Sequence, residues 1–368
     1  MSNIKIETLS QIHIGNGLFL QKGSDFLVDS HSLYVLNMDK LGSVIGTDEA
    51  NIRGWLDAID KGCSETFIKT RIKDMPYGRF SKRCIASNVD FDQGQNTLKE
   101  YIHDGLGRPY IPGSSIKGAI RTAILSTLAK KEITKKLEKE KDQRKWKKII
   151  FGMESDLLHF ISYDKRGKRD LSPTTDIFRF VTTGDAYFDK GVELVVKQMN
   201  LNIREQESLI DEKRQQAVET IRKGVSSQFR LKVSDEFFQK TDIYDLHDLF
   251  ELINNHTCQL ICDEINFWDK GEGSKYTGQD PYLDQLEIIL DEIDKCQPNE
   301  CVLRMGQASG WRFVTGAWLE EIDKAYFDKE IVPLCRPRNN NYQQYSFPKS
   351  RRIDDSSDVF GFVKLTEL

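Results

Sequence analysis

The most informative stretch of this chain is YIPGSSIKGAIR, residues 110–121. Pro112 and Gly113 end the extended segment before them and allow a tight turn, and Ser114 or Ser115 can cap the helix that begins there. The first-turn N–H groups of such a helix have no partner inside it and attract anions. The stretch therefore predicts a capped helix start that binds a phosphate group.

Two basic residues and a glycine in the same stretch strengthen this interpretation. Lys117 and Arg121 stand four positions apart, so both lie on one face of the helix. Gly118 costs about 1 kcal/mol relative to alanine inside a helix, which calls for a packing or ligand reason. The alternative is an ordinary capped helix with a cationic face. The stretch is not a Walker loop, because the spacing G-x-x-x-x-G-K-[ST] is missing.

The predicted helix continues with an apolar face and then a basic segment. Apolar residues at helical spacing from Ile116 to Leu128 predict a buried face. Residues 130–148 then hold ten basic residues against four acidic ones, a local balance of +6. A docking surface and a solvated helical face with mixed charges both explain this segment.

Hydrophobic periodicity predicts strands towards both ends of the chain and helices between them, an α+β arrangement of two modules bridged by insertions. The predicted strands are Ile4–Thr8, Asp25–Asp29, Leu33–Asn37, Ile177–Phe188, Val192–Gln198, Val225–Val233, Cys301–Met305 and Val359–Leu365. The predicted helices are Asp39–Ile45, Asp48–Lys61 with Thr47 as its N-cap, Gln206–Lys223, Asp242–Phe267, Tyr282–Lys295 and about Thr315–Ala325. Residues 70–108, rich in glycine and basic residues, predict a long functional loop or hairpin.

Length and composition favour a globular protein with more than one core. At 368 residues the chain exceeds the size at which one core usually keeps growing. No run approaches the 18 apolar residues of a membrane span, and the N-terminus lacks the pattern of a secretory signal, so we expect a cytoplasmic protein with no membrane role. Seven scattered cysteines predict reduced thiols. A net charge of −4 leaves room only for a local basic patch.

Four motifs in chain order carry a family resemblance. They are HIGNG at residues 13–17, YIPGSSIKGAIRTA at 110–123, FRFVTTGDA at 178–186 and LRMGQASGW at 303–311. Together they resemble the RAMP superfamily of CRISPR RNA-binding proteins, and the resemblance spans nearly the whole chain.

The resemblance implies a fold as well as a function. The expected fold class is α+β, with two RRM-like or ferredoxin-like modules and a helical insertion block. The expected division is an N-terminal module over 1–190, with an insertion near 70–108 and the basic helical segment 130–148. Residues 191–300 then supply strands and a predominantly helical block, and 301–368 supply the C-terminal part of the second module with its glycine loop.

The resemblance also implies partners. It indicates a non-catalytic subunit that binds the 3′ side of the guide RNA (crRNA) in a type III-A CRISPR interference (Csm) complex and contributes to crRNA 3′-end maturation. Expected neighbours are the crRNA, target RNA, the repeated Csm backbone RAMP subunit, the small helical Csm subunit and recruited host ribonucleases. In the backbone relatives a protruding β-hairpin wedges between bases of the guide–target duplex, and its counterpart is expected within 70–108. No cofactor is expected.

The candidate RNA-binding residues come from the motifs and from the predicted loop, and they are expected to contact the RNA backbone with little sequence preference. They are His13, Gly15, Asn16, Gly17, Arg79, Arg83, Gly113, Ser114, Ser115, Lys117, Arg121, Arg304, Gly306, Ser309, Gly310 and Arg312.

The glycine loop at residues 306–316 admits two interpretations. Its glycines, beside Arg304 and Arg312, let RNA phosphates approach the main chain, or they form a purely structural turn.

Two functional alternatives remain open at this point. The first is a metal-independent endoribonuclease in which His13 acts as general acid or base, as in some RAMP-superfamily processing enzymes. A lone histidine after a strand is more often a packing residue or a phosphate donor, so we expect binding without catalysis. The second is a scaffold whose basic segment 130–148 docks proteins.

A zinc site is the remaining chemical possibility. His256, Cys258 and Cys262 share a predicted helix, and Cys296 with Cys301 could complete a ligand set. No pair has C-x-x-C spacing, so buried thiols explain these residues with fewer assumptions. We expect no metal.

Overall fold

The computed structural model describes residues 1–91, 96–140, 142–203, 209–211, 214–313, 318–322, 324–335 and 346–368. Within these ranges, strand β1 (Ser2–Thr8) shows the local reason for the fold, because its buried and partly exposed residues alternate. Such alternation gives a sheet one covered face.

Fifteen strands lie within the described residues. They are β1, β2 (Gly15–Gln21), β3 (Phe26–Asp29), β4 (Ser32–Leu36), β5 (Ser81–Ser87), β6 (Thr97–Tyr101), β7 (Tyr110–Ile111), β8 (Val181–Thr183), β9 (Ala186–Tyr187), β10 (Glu193–Asn202), β11 (Gln216–Ile221), β12 (Ser226–Val233), β13 (Glu300–Arg304), β14 (Ser350–Ile353) and β15 (Phe362–Glu367).

Eleven α-helices lie within the same residues, with short 3₁₀ turns at Tyr77–Phe80, Ile177–Phe180, Glu272–Lys275 and Trp311–Phe313 and a π-helical turn at Phe327–Ile331. The helices are α1 (Met38–Ile45), α2 (Glu49–Asp60), α3 (Ser64–Ile72), α4 (Gly113–Lys139), α5 (Gln143–Leu158), α6 (Asp235–Phe238), α7 (Leu246–Asp269), α8 (Asp280–Asp294), α9 (Trp318–Ile322), α10 (Lys324–Tyr326) and α11 (Val332–Cys335).

The first sheet joins the two ends of the chain. Its order is β13–β15–β1–β12–β8, and all its pairings are antiparallel. Ile4 of β1 pairs with Phe229 on one side and with Glu367 on the other. Because both Ile4 and Ile6 are fully buried, the middle of this sheet also forms the main core.

The second sheet has eight strands and mixed pairing. Seven follow the order β2–β6–β11–β10–β5–β4–β3, and β14 pairs with β10. The pairs β6–β11 and β5–β10 are parallel, and the others are antiparallel. Strand β7, which comes immediately before α4 in the chain, pairs with β9 in a separate two-stranded ladder.

Helix α4 packs on the main core as its periodicity predicts. Ile116, Ile120 and Ile124 are fully buried in the cluster that contains Ile4 and Ile6. Helix α7 adds its own apolar stripe to the same cluster and contacts β13. The predicted buried face of the helix after Pro112 is therefore confirmed.

The α+β class is confirmed. The three predicted ranges of the chain, however, do not correspond to the sheets. Each of the two larger sheets takes strands from all three of the ranges 1–190, 191–300 and 301–368. These ranges therefore do not coincide with separate sheets. The assignment to RRM-like or ferredoxin-like modules stays a prediction.

The prediction of a helix at Gln206–Lys223 is wrong. Residues 216–221 form β11, a strand in the interior of the second sheet, and five of its six residues are buried. A strand covered on both faces loses the alternating pattern that identifies strands in a sequence. Residues 206–208 and 212–213 of the predicted helix lie outside the described residues.

Other predictions need smaller corrections. The segment 70–108 is not a long loop, because it contains sheet strands β5 and β6. Asp48, rather than Thr47, caps α2, its side chain accepting the N–H of Asn51 at 3.0 Å. The basic segment 130–148 is divided between the end of α4 and the start of α5. Of the helix predicted at 315–325, residues 318–322 form α9, and Thr315 lies outside the described residues.

The described part of the chain contains no helix that is both long enough and apolar enough to cross a membrane.

Candidate nucleic-acid interface

The start of α4 is held by the motif at residues 178–186 rather than by its own serines. Pro112 occupies the N-cap position, and no side chain caps the helix there. The N–H of Gly113 donates to Oδ1 of Asp185 at 2.8 Å, and the hydroxyl of Thr183 donates to the carbonyl of Gly113 at 2.6 Å. The anion position at Gly113 is thus filled by a carboxylate of the chain itself.

Gly113 is a glycine for reasons of packing. A Cβ atom added there would lie 2.4 Å from the carbonyl oxygen of Thr183 and 2.8 Å from that of Gly184. Real carbon atoms do not approach a backbone oxygen so closely, so only glycine allows this helix to meet this strand. The second and third motifs of the sequence are therefore in direct contact.

The outward face of the helix start remains open. Ser114 and Gly118 are exposed, and nothing lies within 4 Å of a Cβ atom added at Gly118. Lys117 is half-buried, and burial lowers its pKa while Asp176 raises it. No packing reason for Gly118 exists in the described residues, and the contact of this helix start with a ligand stays a prediction.

Arg121 is already paired. Its guanidinium donates to Asp176 at 2.8 Å and to Glu154 at 3.0 Å, and it lies 5.0 Å from the ring centre of Phe178. An arginine held by two carboxylates is not a free cation for phosphate, so Arg121 positions the helix against its neighbours.

The first and fourth motifs also contact each other. The N–H of Gln307 donates to the carbonyl of His13 at 3.0 Å, and a Cβ atom at Gly306 would lie 2.7 Å from that carbonyl. Gly306 has a φ of +89°, a backbone conformation that favours glycine. The glycine turn after β13 is therefore packed on the segment after β1.

His13 itself is buried. Its side chain is 1% exposed, Nδ1 lies 2.6 Å from the carbonyl oxygen of Glu219, and burial lowers its pKa. The imidazole is therefore neutral near pH 7 and is not on the surface. The following residues, Gly15, Asn16 and Gly17, are exposed, and Asn16 donates to Glu100 at 2.7 Å.

The glycine loop is partly a structural turn. Ser309 is buried and donates to the carbonyl of Gly306 at 2.6 Å. Gly310 has a φ of +82° and no neighbour within 4 Å of an added Cβ atom, so its main chain is open. Gly316 lies outside the described residues.

The two arginines beside this loop face inward. Arg304 is buried, lies between the rings of Phe313 and Phe362 at 4.4 and 4.6 Å, and donates to the carbonyl of Phe360 at 2.9 Å. Arg312 forms ion pairs with Glu264 and Glu320. Neither side chain is available to RNA in this conformation.

The two arginines of the 70–108 segment differ from each other. Arg79 is exposed in the turn before β5. Arg83 instead lies inside the protein and donates to Glu100 at 2.8 Å and to Glu219 at 2.9 Å. Of the cations predicted from the sequence, Arg79, Lys117 and the buried Arg304 form no ion pair within the described residues, and of these Arg79 and Lys117 reach the surface.

A cationic cleft that the sequence did not predict lies beside the paired first and fourth motifs. Lys99 of β6 is half-buried with Nζ 5.8 Å from the ring centre of the exposed Phe19, and Arg352 of β14 donates to the carbonyl of Gln307 at 2.9 Å. The charges of Lys99 and Arg352 both lower the pKa of His13, and Arg352 also lowers that of Lys99, so the two cations lie near His13 and near each other. We call Phe19, Lys99, Arg352 and Gln307 the cationic cleft.

The two cations of this cleft have no carboxylate partner among the described residues. Burial lowers the pKa of Lys99, and the neighbouring Arg352 lowers it further. Burial also lowers the pKa of Arg352, and within the described residues neither cation forms an ion pair with a carboxylate. Two partly desolvated cations without an anion favour a bound phosphate. No local pattern in the sequence marks these residues, because they come from strands that are distant in the chain and come together only in the folded sheet.

Two turns with the same hydrogen-bond pattern follow β6 and α5 in the chain. In each, an aspartate N–H donates to the carbonyl four residues later, at Asp104 and at Asp164, and a glycine three residues on closes the turn. The side chain of each aspartate also accepts two main-chain N–H groups at 2.8–2.9 Å. The sequence pattern D-x-x-G-[RK] thus encodes both turns.

The tips of the two turns differ in chemistry. Leu106 is 72% exposed at the first tip, next to Arg108, which stacks on Tyr187 at 4.8 Å. The second tip carries Lys165 and Arg166. The first turn lies at the C-terminal end of 70–108, the segment in which the counterpart of the hairpin is expected, and that correspondence stays a prediction.

Within the part of the chain that the structure describes, no thiol belongs to a group with the donor spacing of a metal site. Cys258 Sγ and Cys262 Sγ lie 4.0 Å apart, and Cys301 is fully buried. Among the described residues, one group with the donor spacing of a metal site occurs, formed by Glu100, His103 and Glu219.

Comparison with known proteins identifies the class. A sequence model of the RAMP superfamily matches residues 5–310, so this chain belongs to the RAMP superfamily.

Individual relatives narrow the similarity further. The chain is similar to the CRISPR system Cms protein Csm5 of Streptococcus thermophilus, 28% identical over 140 residues, which are 34% of this chain and 38% of the relative. Csm5 of Enterococcus italicus is 28% identical over 150 residues, 33% of this chain and 42% of the relative. The matches thus span about two fifths of these relatives.

Solved structures show the same fold over the whole chain. A chain in the cryo-EM structure of a Csm–crRNA–target RNA ternary complex, from a type III-A CRISPR-Cas system, has a TM-score of 0.74 at 20% identity, covering 99% of this chain and 100% of that one. The crystal structure of T. onnurineus Csm5 has a TM-score of 0.63 at 18% identity, covering 98% and 99%.

The buried ion cluster behind Arg312 makes a first prediction. Glu264 is 3% exposed and accepts from Arg351 at 2.5 and 3.1 Å, from Trp268 at 2.9 Å and from Arg312. Replacing it (Glu264→Gln) leaves the buried guanidinium of Arg351 without a carboxylate and that of Arg312 with Glu320 alone, and should lower the free energy of unfolding by about 3–5 kcal/mol. Urea unfolding measures this change.

The same cluster gives the loss a pH dependence. The two arginines hold the pKa of Glu264 well below its usual range. Its contribution is therefore complete above about pH 4.3, the unfolded value, and is lost as the pH falls towards the folded value. Glu49→Gln, at an exposed pair with Arg53, is the control and should change stability by less than about 1 kcal/mol. Equal effects of the two substitutions would contradict the prediction.

Proposed function

We propose that this chain is the Csm5 subunit of a type III-A CRISPR Csm complex and that it binds the guide RNA as a non-catalytic subunit. Membership of the RAMP superfamily, the Csm5 relatives and the fold shared with a chain of a Csm–crRNA–target RNA complex support this proposal. The place that we propose is the 3′ side of the crRNA, with the repeated backbone RAMP subunit as neighbour.

The cationic cleft is the observation that carries the RNA-binding part. Lys99 and Arg352 are partly desolvated and have no carboxylate partner among the described residues. A phosphodiester supplies the missing charge, and the exposed ring of Phe19 offers a base a stacking surface. Gly310 and the exposed residues Gly15–Gly17 border the same motif pair and allow the RNA main chain to come close.

The open face at the start of α4 forms a second contact in the proposal. Ser114, Lys117 and Gly118 present a hydroxyl, a cation and bare main chain on one surface. The turn at Asp104–Arg108, with Leu106 at its tip, is our proposed counterpart of the wedge that inserts between bases of the guide–target duplex.

The proposal excludes an enzymatic role for His13. A general acid or base must reach its substrate, whereas this imidazole is 1% exposed and its Nδ1 donates to the carbonyl oxygen of Glu219. We also propose that crRNA 3′-end maturation depends on recruited ribonucleases. The partly apolar outer surface of α7 and α8, where Ile288 is 44% exposed, suits contact with the small helical subunit.

The cationic cleft yields a second prediction. In Lys99→Gln with Arg352→Gln, affinity for a single-stranded guide RNA should fall at least tenfold at low salt, because two charge-assisted contacts disappear. The slope of log affinity against log salt should become shallower by about 1.4, since each phosphate contact on a single strand contributes about 0.7. Fluorescence anisotropy of the full chain over a salt series measures both values.

The control for this experiment is Arg53→Gln with Lys135→Gln. Both residues are exposed and form surface ion pairs with Glu49 and Glu132. This pair of substitutions removes the same charge and should leave affinity and slope unchanged. If both double variants behave alike, RNA binding at the cationic cleft is ruled out.

Gly118 yields a third prediction. Gly118→Ala should raise the free energy of unfolding by about 0.5–1 kcal/mol, because alanine restricts the unfolded chain and meets no neighbour in the helix. The added methyl group should weaken guide-RNA binding several-fold, because it stands where the RNA backbone approaches.

Gly152→Ala is the matched control for Gly118→Ala. Gly152 lies in α5, and an added Cβ atom there also meets nothing within 4 Å. This variant should gain stability without losing RNA affinity. Unchanged RNA affinity in Gly118→Ala would remove the start of α4 from the proposed interface and leave the cationic cleft untouched.

The absence of catalysis is a fourth prediction. Purified chain incubated with CRISPR repeat RNA in chelator should leave the RNA intact, as monitored on a denaturing gel. Cleavage that disappears in His13→Ala would overturn the non-catalytic proposal in favour of the endoribonuclease.

A further inference from the structure

A cavity on the other side of β6 from the cationic cleft contains carboxylates and a histidine that are not among the proposed RNA contacts. It has a volume of about 570 Å³, and its wall includes Asn16, Arg83, Glu100, His103 and Glu193. The side chain of Glu219 lies in the ion network directly behind this wall, 2.9 Å from Arg83. Lys82 and Lys190 are exposed at the mouth.

The geometry points to a divalent transition-metal ion bound by Glu100, His103 and Glu219, with Glu193 beside them. One donor atom from each of the first three residues lies within 4.8 Å of the others. We propose this site independently of the RNA-binding function, and its own test does not involve RNA.

The two ring nitrogens of His103 face different partners. Nδ1 lies 2.8 Å from the carbonyl oxygen of Tyr101, which can only accept, and 3.3 Å from Nη1 of Arg83, and in the shorter of these contacts Nδ1 donates. Nε2 faces the carboxylates of Glu193 and Glu219, and a metal ion there would replace its hydrogen bond to Glu193. A histidine whose other nitrogen donates to a backbone carbonyl is the usual arrangement at metal sites.

The distances around Nε2 match a coordination sphere. It lies 3.3 Å from a carboxylate oxygen of Glu193 and 3.6 Å from Oε1 of Glu219. Two ligands at about 2.0–2.1 Å from a tetrahedral Zn²⁺ ion stand roughly 3.4 Å apart. A metal ion therefore needs only small side-chain adjustments to fit between these atoms.

An unpartnered buried oxygen supports the same conclusion. Glu219 is 0% exposed, and its Oε2 accepts from Arg83 at 2.9 Å and from the N–H of Tyr101 at 3.0 Å. Its Oε1 has no hydrogen-bond partner, and burial raises the pKa of this carboxyl group. Buried oxygens without a partner are rare and costly, and a cation removes the cost.

Charge balance favours a divalent ion. Glu100, Glu193 and Glu219 face one guanidinium, that of Arg83. These three carboxyl groups outnumber the guanidinium in a largely buried network, so an added cation is favoured. An imidazole with carboxylates suits Zn²⁺ or Mn²⁺ better than an ion that takes only oxygen ligands.

The site would hold the turn at Asp104–Arg108 in place. Glu100 lies near the end of β6, His103 precedes the turn with Leu106 at its tip, Glu193 begins β10, and Glu219 lies in β11. A metal ion joining these elements holds the turn against the second sheet. Metal binding should therefore raise the thermal stability of the full chain.

A metal-binding experiment tests the proposal. Full-length protein is stripped with chelator, dialysed and titrated with Zn²⁺ alone in a calorimeter, with bound metal counted by elemental analysis. We expect one equivalent per chain and a higher melting temperature. His103→Ala should weaken binding more than tenfold, whereas His247→Ala, an exposed histidine near Glu367, should bind as the unmodified chain does.

Two further variants keep the outcome decisive. Glu100→Gln tests the site conservatively should His103→Ala fail to fold, and circular dichroism checks the fold of each variant. Cys258→Ser tests the neighbouring thiols of α7 as a competing zinc site. Less than stoichiometric metal in the unmodified chain, equal binding in His103→Ala or Glu100→Gln, or loss of binding in Cys258→Ser instead would each overturn the proposal.

Discussion

The pairing of the first strand with the last one is the constraint on which the rest of the structure depends. An interior strand needs both neighbours to satisfy its N–H and C=O groups, and β1 finds them in β12 and β15. Ile4 and Ile6 are fully buried as a result, and α4 packs on them. The segment after β1 is thereby delivered to the turn after β13, so that the motifs at 13–17 and 303–311 meet.

Two glycines allow the backbones of the motifs to approach each other closely. Gly113 approaches the carbonyl of Thr183, and Gly306 approaches the carbonyl of His13, at distances that exclude a Cβ atom. Each contact then determines which charged groups near it are paired within the protein and which remain without a partner. Asp185 fills the anion position at Gly113, while the turn at Gln307 accepts Arg352 and helps to form the cationic cleft.

Strand β6 separates two opposite electrostatic environments. Successive residues of a strand point to opposite faces, so Lys99 faces the exposed ring of Phe19 while Glu100 faces Arg83. One face is short of anions, and the other has more carboxylates than cations. A phosphate and a metal ion are the respective complements, and both proposals arise from the same alternation.

The sequence by itself determined the α+β class, the apolar face of α4, the long helices α7 and α8 and the family resemblance, because periodicity and short motifs are local. It did not determine which cations reach the surface. Arg83 meets Glu219, 136 residues away, and Arg351 meets Glu264, 87 residues away. Only the tertiary structure also made residues 216–221 a buried strand and brought Lys99 and Arg352 together, because these outcomes depend on partners distant in the chain.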